Sequence, residues 1–406
     1  MYIHREIEVT IHEMLKQFKV VLVTGARQVG KTTVLKNSLE DSFSYVTLEN
    51  PVEASNAEND SLLFFEMKSL PLVIDEVQRV PSLFQATKFI VDQSSEYGQI
   101  ILTGSQTYHL MKGVSESLAG RIGILEMSGL SVRELTARDH PTPMPYVPSP
   151  VGTVERPGGF SLWERIQRGS MPQLCATDIP WERFWTSYTQ AYLERDVRDL
   201  ISLKSERKFF DFMVAAAARS GQLFNASDIA NSIDVDYKTV QSWVSILQAS
   251  GIVRLLQPFW PNIGKSLTKT PKLYFYDTGL LCYLLRIRTL EQLLASPYLG
   301  MVFENLVIEE RMKTHLNAGR EPDLYFYRDD NKVEVGLVDL TDPDHGILAE
   351  IKSSQTYRSS FSRHLHVVGD EIGIPAERRF VVERAEGDFE ADGVQARNVA
   401  TWLGMD

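Results

Sequence analysis

Nine consecutive residues, GARQVGKTT at 25–33, carry the residue types and spacing needed to hold a phosphate group. They fit the pattern G-x-x-x-x-G-K-[ST], with Gly25, Gly30, Lys31 and Thr32 on its fixed positions. Glycine lets the main chain approach an anion closely, and the amides of Gly25, Ala26, Arg27, Gln28, Val29, Gly30, Lys31, Thr32 and Thr33 form a positive cradle. Lys31 is expected to reach the β- and γ-phosphates of a nucleotide, and the Thr32 hydroxyl to ligand Mg2+. Downstream, LPLVIDE at 70–76 is an apolar run that ends in two acids. Asp75 is expected to hold the shell of the metal, and Glu76 to orient and polarise an attacking water. A third run, QIILTGS at 99–105, places Ser105 as the candidate polar group beside the γ-phosphate, with Thr103 and Gln106 behind it. Arg121, in SLAGRIGI at 117–124, can stabilise charge on a transferring phosphoryl group of a neighbouring subunit, or form an ion pair inside its own domain.

For these groups to act together they must converge on one sheet edge. Residues 20–23, 43–48, 70–76 and 99–105 read as strands, three of them continuously apolar as strands covered on both faces are. Residues 2–18 read as a helix with Ile7, Ile11, Met14, Leu15 and Phe18 at helical spacing, and 32–39 as the helix that follows the glycine loop. In an open α/β sheet the ligand lies outside the carboxyl ends of the strands. ATP and Mg2+ are therefore the expected cofactors, and Lys31, Glu76, Ser105 and Arg121 the expected catalytic residues.

The segments GARQVGKTT, LVIDEVQRVP, IILTGSQ and SLAGR resemble the prokaryotic AAA-superfamily ATPases of the archaeal and STAND-like clade that carry a C-terminal domain of unknown function. RGSMPQL, AYLERDVRDL, KTPKLYFYDTGLLCYLL, FENLVIEE and AEIKSS are similar, in order, to later signatures of that family. The resemblance implies an α/β fold: a P-loop ATPase with a parallel sheet, a helical region with a winged helix-turn-helix, and a restriction-endonuclease-like α/β domain. It also makes Arg195 a second candidate for a nucleotide-sensing or intersubunit arginine. The expected divisions are an ATPase domain at 1–135, a proline-rich linker at 136–160, a helical connector at 161–207, the winged helix at 208–272 and the last domain at 273–406.

The winged-helix expectation also has support in the residues. Asn225 and Ser227 are potential caps, and the helix expected at 237–249 has a buried stripe of Val240, Trp243, Val244 and Leu247. Its opposite face offers Tyr237, Lys238, Gln241 and Ser242, with Lys265, Lys269 and Lys272 in the expected wing, as a DNA-binding surface. In the last domain Glu304, Glu334, Glu350 and Lys352 match parts of a nuclease site built around Mg2+. Where the family resembles E-V-D, this chain reads Glu334, Val335, Gly336, so one metal-binding acid is missing and the site is expected to be degenerate. Asp339 is a poor stand-in, because strand side chains alternate between faces.

Composition sets the outer limits. The 406 residues suffice for about three domains, and 43% hydrophobic with 23% charged content is that of a globular chain. No apolar run approaches the ~20 residues of a membrane span, and MYIHREIEVT lacks a signal-peptide core, so a cytoplasmic protein is expected. Two cysteines, Cys175 and Cys282, are too few for a disulfide framework. A net charge of −11 argues against coating nucleic acid by bulk electrostatics, so DNA contact would need a local patch. The leading expectation is an oligomeric ATP-dependent DNA-binding machine. The alternatives are an ATP-dependent nuclease of a mobile-element or defence system, and a STAND-type switch that recruits a protein.

Overall fold

A computed structural model describes residues 2–39, 42–105, 117–137, 142–143, 161–192, 206–260 and 269–405. Its first half is built on β1 (Val20–Thr24), β2 (Ser44–Thr47), β3 (Leu72–Asp75), β4 (Ile100–Gly104) and β5 (Ile122–Glu126). These form a parallel sheet in the order β2-β3-β4-β1-β5. β4 is thus inserted between β1 and β3. Every residue of β1, β3 and β4 is buried, because helices cover both faces. Alternation along β1 divides its side chains: Val20 and Leu22 join one apolar cluster with Phe64 and Phe84, and Val21 and Val23 join another with Ile7, Ile11 and Leu35.

The second half does not divide as the sequence suggests. Helices Glu206–Ala217, Ala226–Ile233 and Tyr237–Ala249 are followed by the antiparallel hairpin of β6 (Val253–Pro258) and β7 (Lys272–Phe275). Asn225 caps the second helix and Asp236 the third. The hairpin does not stand apart as a wing: β6 also pairs in parallel with β8 (Leu324–Arg328), at Gln257↔Tyr325 and Pro258↔Phe326. It thereby becomes one edge of an eight-stranded sheet, ordered β12-β13-β11-β10-β9-β8-β6-β7. The remaining strands are β9 (Glu334–Asp339), β10 (Ile347–Ile351), β11 (Arg379–Glu383), β12 (Phe389–Ala391) and β13 (Val394–Asn398). The division expected at 272/273 therefore falls inside β7. One apolar core runs from Val132 through Trp185, Phe212, Trp243, Tyr274 and Phe303 to Trp402, and a second packs Tyr327, Val338, Leu348, Leu365 and Val381.

The helix Leu299–Asn317 is the beam of the molecule, with fourteen of its nineteen residues buried. Thr10 donates its hydroxyl to Asn317 O at 2.6 Å, and Asn317 donates to Glu6 Oε2 at 2.8 Å. Glu310 accepts the Val132 amide, and Lys313 donates to Leu130 O. No helix among the described residues is long and apolar enough to cross a membrane. Gln106, Arg195 and Lys265, and the proline-rich stretch apart from 136–137 and 142–143, lie outside the described residues.

Candidate nucleotide-binding site

The chain leaves β1 at Thr24 and turns at once. Gly25 has φ +140°, and a Cβ there would lie 2.1 Å from Met127 O, so only glycine lets the chain after β5 pass this closely behind the loop. Gln28 and Gly30 take left-handed φ values of +62° and +95°, and Gly30 then opens the helix Lys31–Ser38. The amino end of that helix faces the cleft, with the positive end of its dipole. Arg5 braces the loop from behind. Its guanidinium, 3% exposed, donates to Val29 O at 3.0 Å and Ser128 O at 2.8 Å, and pairs with Glu134 at 3.0 Å. The motif gives no hint of Arg5, because it comes from a preceding segment.

Lys31 Nζ lies across the loop mouth, donating to Gly25 O at 2.8 Å and Ala26 O at 2.9 Å. Asp75 ends β3 and is buried, with three hydroxyls on its carboxylate. Thr32 donates to Oδ2 at 3.0 Å, Tyr45 donates to the same oxygen at 2.5 Å, and Thr103 donates to Oδ1. Burial, and then the bond to Asp75, push the Tyr45 hydroxyl well above the ordinary phenol range. Glu76 follows in the left-handed region at φ +58°, a conformation that costs a non-glycine residue on the order of 1–3 kcal/mol. Its carboxylate accepts from Gln78 and lines the cleft. Ser105, at the end of β4, is buried and its hydroxyl has no hydrogen-bond partner among the described residues.

The ends of β1, β3 and β4 therefore bring Arg27, Gln28, Gly30, Lys31, Thr32, Thr33, Glu76 and Ser105 to one cleft of about 740 Å³, with Asp75 behind Thr32. Its far wall lies outside the parallel sheet: Tyr2 and Ile3 before it, and Pro172, Ala176, Tyr188 and Tyr192 after it. Ser250 also lines the cleft, and a Cβ on Gly251 would lie 3.0 Å from Ala26 Cβ. The end of the helix Tyr237–Ala249 thus sits on the loop itself.

Arg121 is elsewhere. It precedes β5, and its carbonyl accepts the Val20 amide at the amino end of β1, so it lies at the sheet edge opposite the cleft. Its guanidinium makes a two-pronged pair with Asp92, at 2.5 and 3.0 Å, and both side chains are partly exposed.

On the helix Tyr237–Ala249 the side chains of Tyr237, Lys238, Gln241 and Ser242 are exposed, and Gln241 donates to the Tyr237 hydroxyl at 2.7 Å. Lys269 is exposed as well, 5.8 Å from the Trp260 ring. Lys272 departs from its expected place in the wing. It is 4% exposed, 2.7 Å from Glu334 and 3.3 Å from Glu304, because β7 carries it into the acid cluster.

That cluster is held together by ion pairs among its own members and with Arg328. Burial works to raise the Glu334 carboxyl, but the Lys272 ammonium and the Arg328 guanidinium hold it below the usual range. Burial pushes Glu350 up, against the pull of Lys352 at 2.5 Å. At the position of the missing acid, the Gly336 amide itself donates to Glu350 at 3.3 Å. Asp339 points away, pairing with Arg311 at 2.6 Å and His315 at 2.8 Å. No group of three acids, histidines or cysteines among the described residues is arranged to hold a metal.

A family described as an AAA domain matches residues 17–136. Two domains of unknown function, DUF8612 and DUF4143, match 159–291 and 299–402. Over 391 residues the chain is 32% identical to the uncharacterized protein Rv2008c of Mycobacterium tuberculosis, covering 93% of this chain and 81% of that one. The same figures hold for the uncharacterized protein Mb2031c of Mycobacterium bovis. The chain belongs to one family with these two proteins, and carries an AAA domain. Its AAA domain is a P-loop ATPase domain, a kind that binds ATP, and the loop of its P-loop motif opens onto the cleft. Among solved structures, similar chains include the Walker-type ATPase PABY2304 of Pyrococcus abyssi, at 14% identity and TM-score 0.43, covering 69% of this chain and 94% of that one. Another is the RuvB Holliday junction branch migration motor of Thermotoga maritima, at 15% identity and TM-score 0.28, covering 61% and 88%.

Proposed function

We propose that the chain hydrolyses ATP with Mg2+ and uses the reaction, as a homo-oligomer, to reposition a DNA-binding helix-turn-helix. Thr32 Oγ1 and Asp75 Oδ2, 3.0 Å apart, are hard oxygen donors of the kind Mg2+ takes, and would hold it. The ion would supply charge neutralisation between the outer phosphates. Lys31 exchanges its two loop carbonyls for phosphate oxygens, the unpartnered Ser105 hydroxyl donates to the γ-phosphate, and the Glu76 carboxylate orients the attacking water. Arg121 leaves Asp92 to serve a neighbouring subunit's cleft.

The observation that carries the link to the second half is the seat of Ser250 and Gly251 on the loop. A ligand that reshapes residues 25–30 presses directly on the end of the helix that bears Tyr237, Lys238 and Gln241. Lys31→Ala should lose ATP binding, and Glu76→Gln should bind ATP but turn it over at least ~100-fold more slowly. A Lys31→Ala protein that holds nucleotide as well as the parent would sink the reading. Duplex DNA should raise turnover in the parent but not in Tyr237→Ala/Lys238→Ala, and a rate indifferent to DNA rejects that partner.

One observation favours a second reading, a switch that recruits a protein. Across residues 206–249 the four cations Arg207, Lys208, Arg219 and Lys238 are outnumbered by five acids, Glu206, Asp211, Asp228, Asp234 and Asp236. Two of those cations are already paired, Arg219 with Asp228 and Lys208 with Asp234. Turnover that ignores DNA but responds to a protein partner would select this reading.

A further inference from the structure

Tyr45 is absent from every motif of the chain, yet it touches the acid on which the metal would depend. It lies on β2, an outer strand of the parallel sheet, where the register pairs Tyr45 with Val73 and Thr47 with Asp75. Side chains two residues apart share a face, so the Tyr45 ring lies along the same face as Asp75, about 6.6 Å back along the strand, which is the reach of a phenol. Its hydroxyl donates to Asp75 Oδ2, the oxygen that also accepts from Thr32. Thr103 secures Oδ1 from β4 on the other side. The carboxylate is thus oriented by hydroxyls from three elements. The helix Lys31–Ser38 also steadies the ring, with Lys36 Nζ 4.2 Å from its centroid.

We propose that Tyr45 is a positioning residue for the Mg2+–nucleotide site: by donating to Asp75 Oδ2 it fixes the carboxylate plane in which that oxygen and Thr32 Oγ1 meet the ion's shell. The proposal rests on the reading of Asp75 and Thr32 as the metal's residues. Partners that orient a metal-holding group set affinity for the ion by about 10- to 100-fold. A merely structural tyrosine would instead affect nucleotide and metal alike.

The test is fluorescence binding of methylanthraniloyl-ATP to the full chain, first in EDTA and then across a Mg2+ series. Tyr45→Phe keeps the ring and its contact with Lys36 and removes only the donor. In EDTA the variant should bind within about 2-fold of the parent, while the Mg2+ concentration that half-maximally tightens binding rises about 10-fold or more. An unchanged midpoint overturns the role of Tyr45, as does equal weakening in EDTA and Mg2+. A parent whose binding ignores Mg2+ overturns the assignment of Asp75 itself, and this inference with it. A parent that responds to Mg2+ while the variant responds identically overturns only the inference.

Discussion

Glu6 is a buried acid at the junction of the two halves, 2% exposed, held by Asn317 and 3.2 Å from Arg133. Burial, and next the charge of Glu134, raise its pKa to about 7. The folded protein therefore binds a proton there that the unfolded chain gives up near pH 4.5. The resulting stability is complete below pH 4.5 and is lost as pH rises through about 7. Relative to Glu6→Gln, the parent should lose on the order of 2–3 kcal/mol between pH 4.5 and 8, measured by denaturant unfolding at each pH. Parallel curves for the two proteins would show that Glu6 stays ionised. Such residues mark the limit of what the chain's own order reveals. Residues 25–33, Asp75 and Glu76 are legible because a contiguous loop and a strand end determine their surroundings. Arg5, Tyr45 and Lys272 are not, because each meets its partners through strand order and helix docking that no local spacing encodes.

Among the elements, the helix Tyr237–Ala249 links the two halves most directly. It ends at Gly251, whose φ of +67° suits glycine and whose Cα faces Ala26. Gly251→Ala should cost about 1 kcal/mol in stability through the backbone alone. It should also weaken ATP binding several-fold, although it touches no phosphate, because the added methyl meets Ala26 Cβ at 3.0 Å. Affinity unchanged in the face of a lowered melting temperature would mean that the contact transmits nothing. The elements themselves were unevenly readable. The helix Tyr237–Ala249 shows its full apolar stripe, and β1, β3 and β4 are unbroken apolar runs. β5 is a half-covered edge strand with Ile124 exposed, and β12 carries an exposed Phe389, so neither shows the pattern of a buried strand.

At the scale of the whole molecule, the shared core from Val132 to Met405 outweighs the divisions that composition suggests. A chain stopped after residue 298 would lose the helix Leu299–Asn317 and β8 to β13. It would expose the β6 edge and leave Arg254 without Glu309, its neighbour at 3.4 Å. Such a fragment should show no cooperative thermal transition by circular dichroism, whereas a separable winged helix would melt sharply. Sequence could not foresee this, since proline-rich and polar stretches signal breaks in the chain but not which surfaces later close over them.

The bonds from Glu6 and Thr10 to Asn317 span 311 and 307 positions along the chain. During synthesis, at roughly 5–20 residues per second, the first helix must wait on the order of 15–60 s for the segment that completes its burial. Until then the nascent ATPase half lacks these two bonds and presents to the cell the face that the helix Leu299–Asn317 later covers.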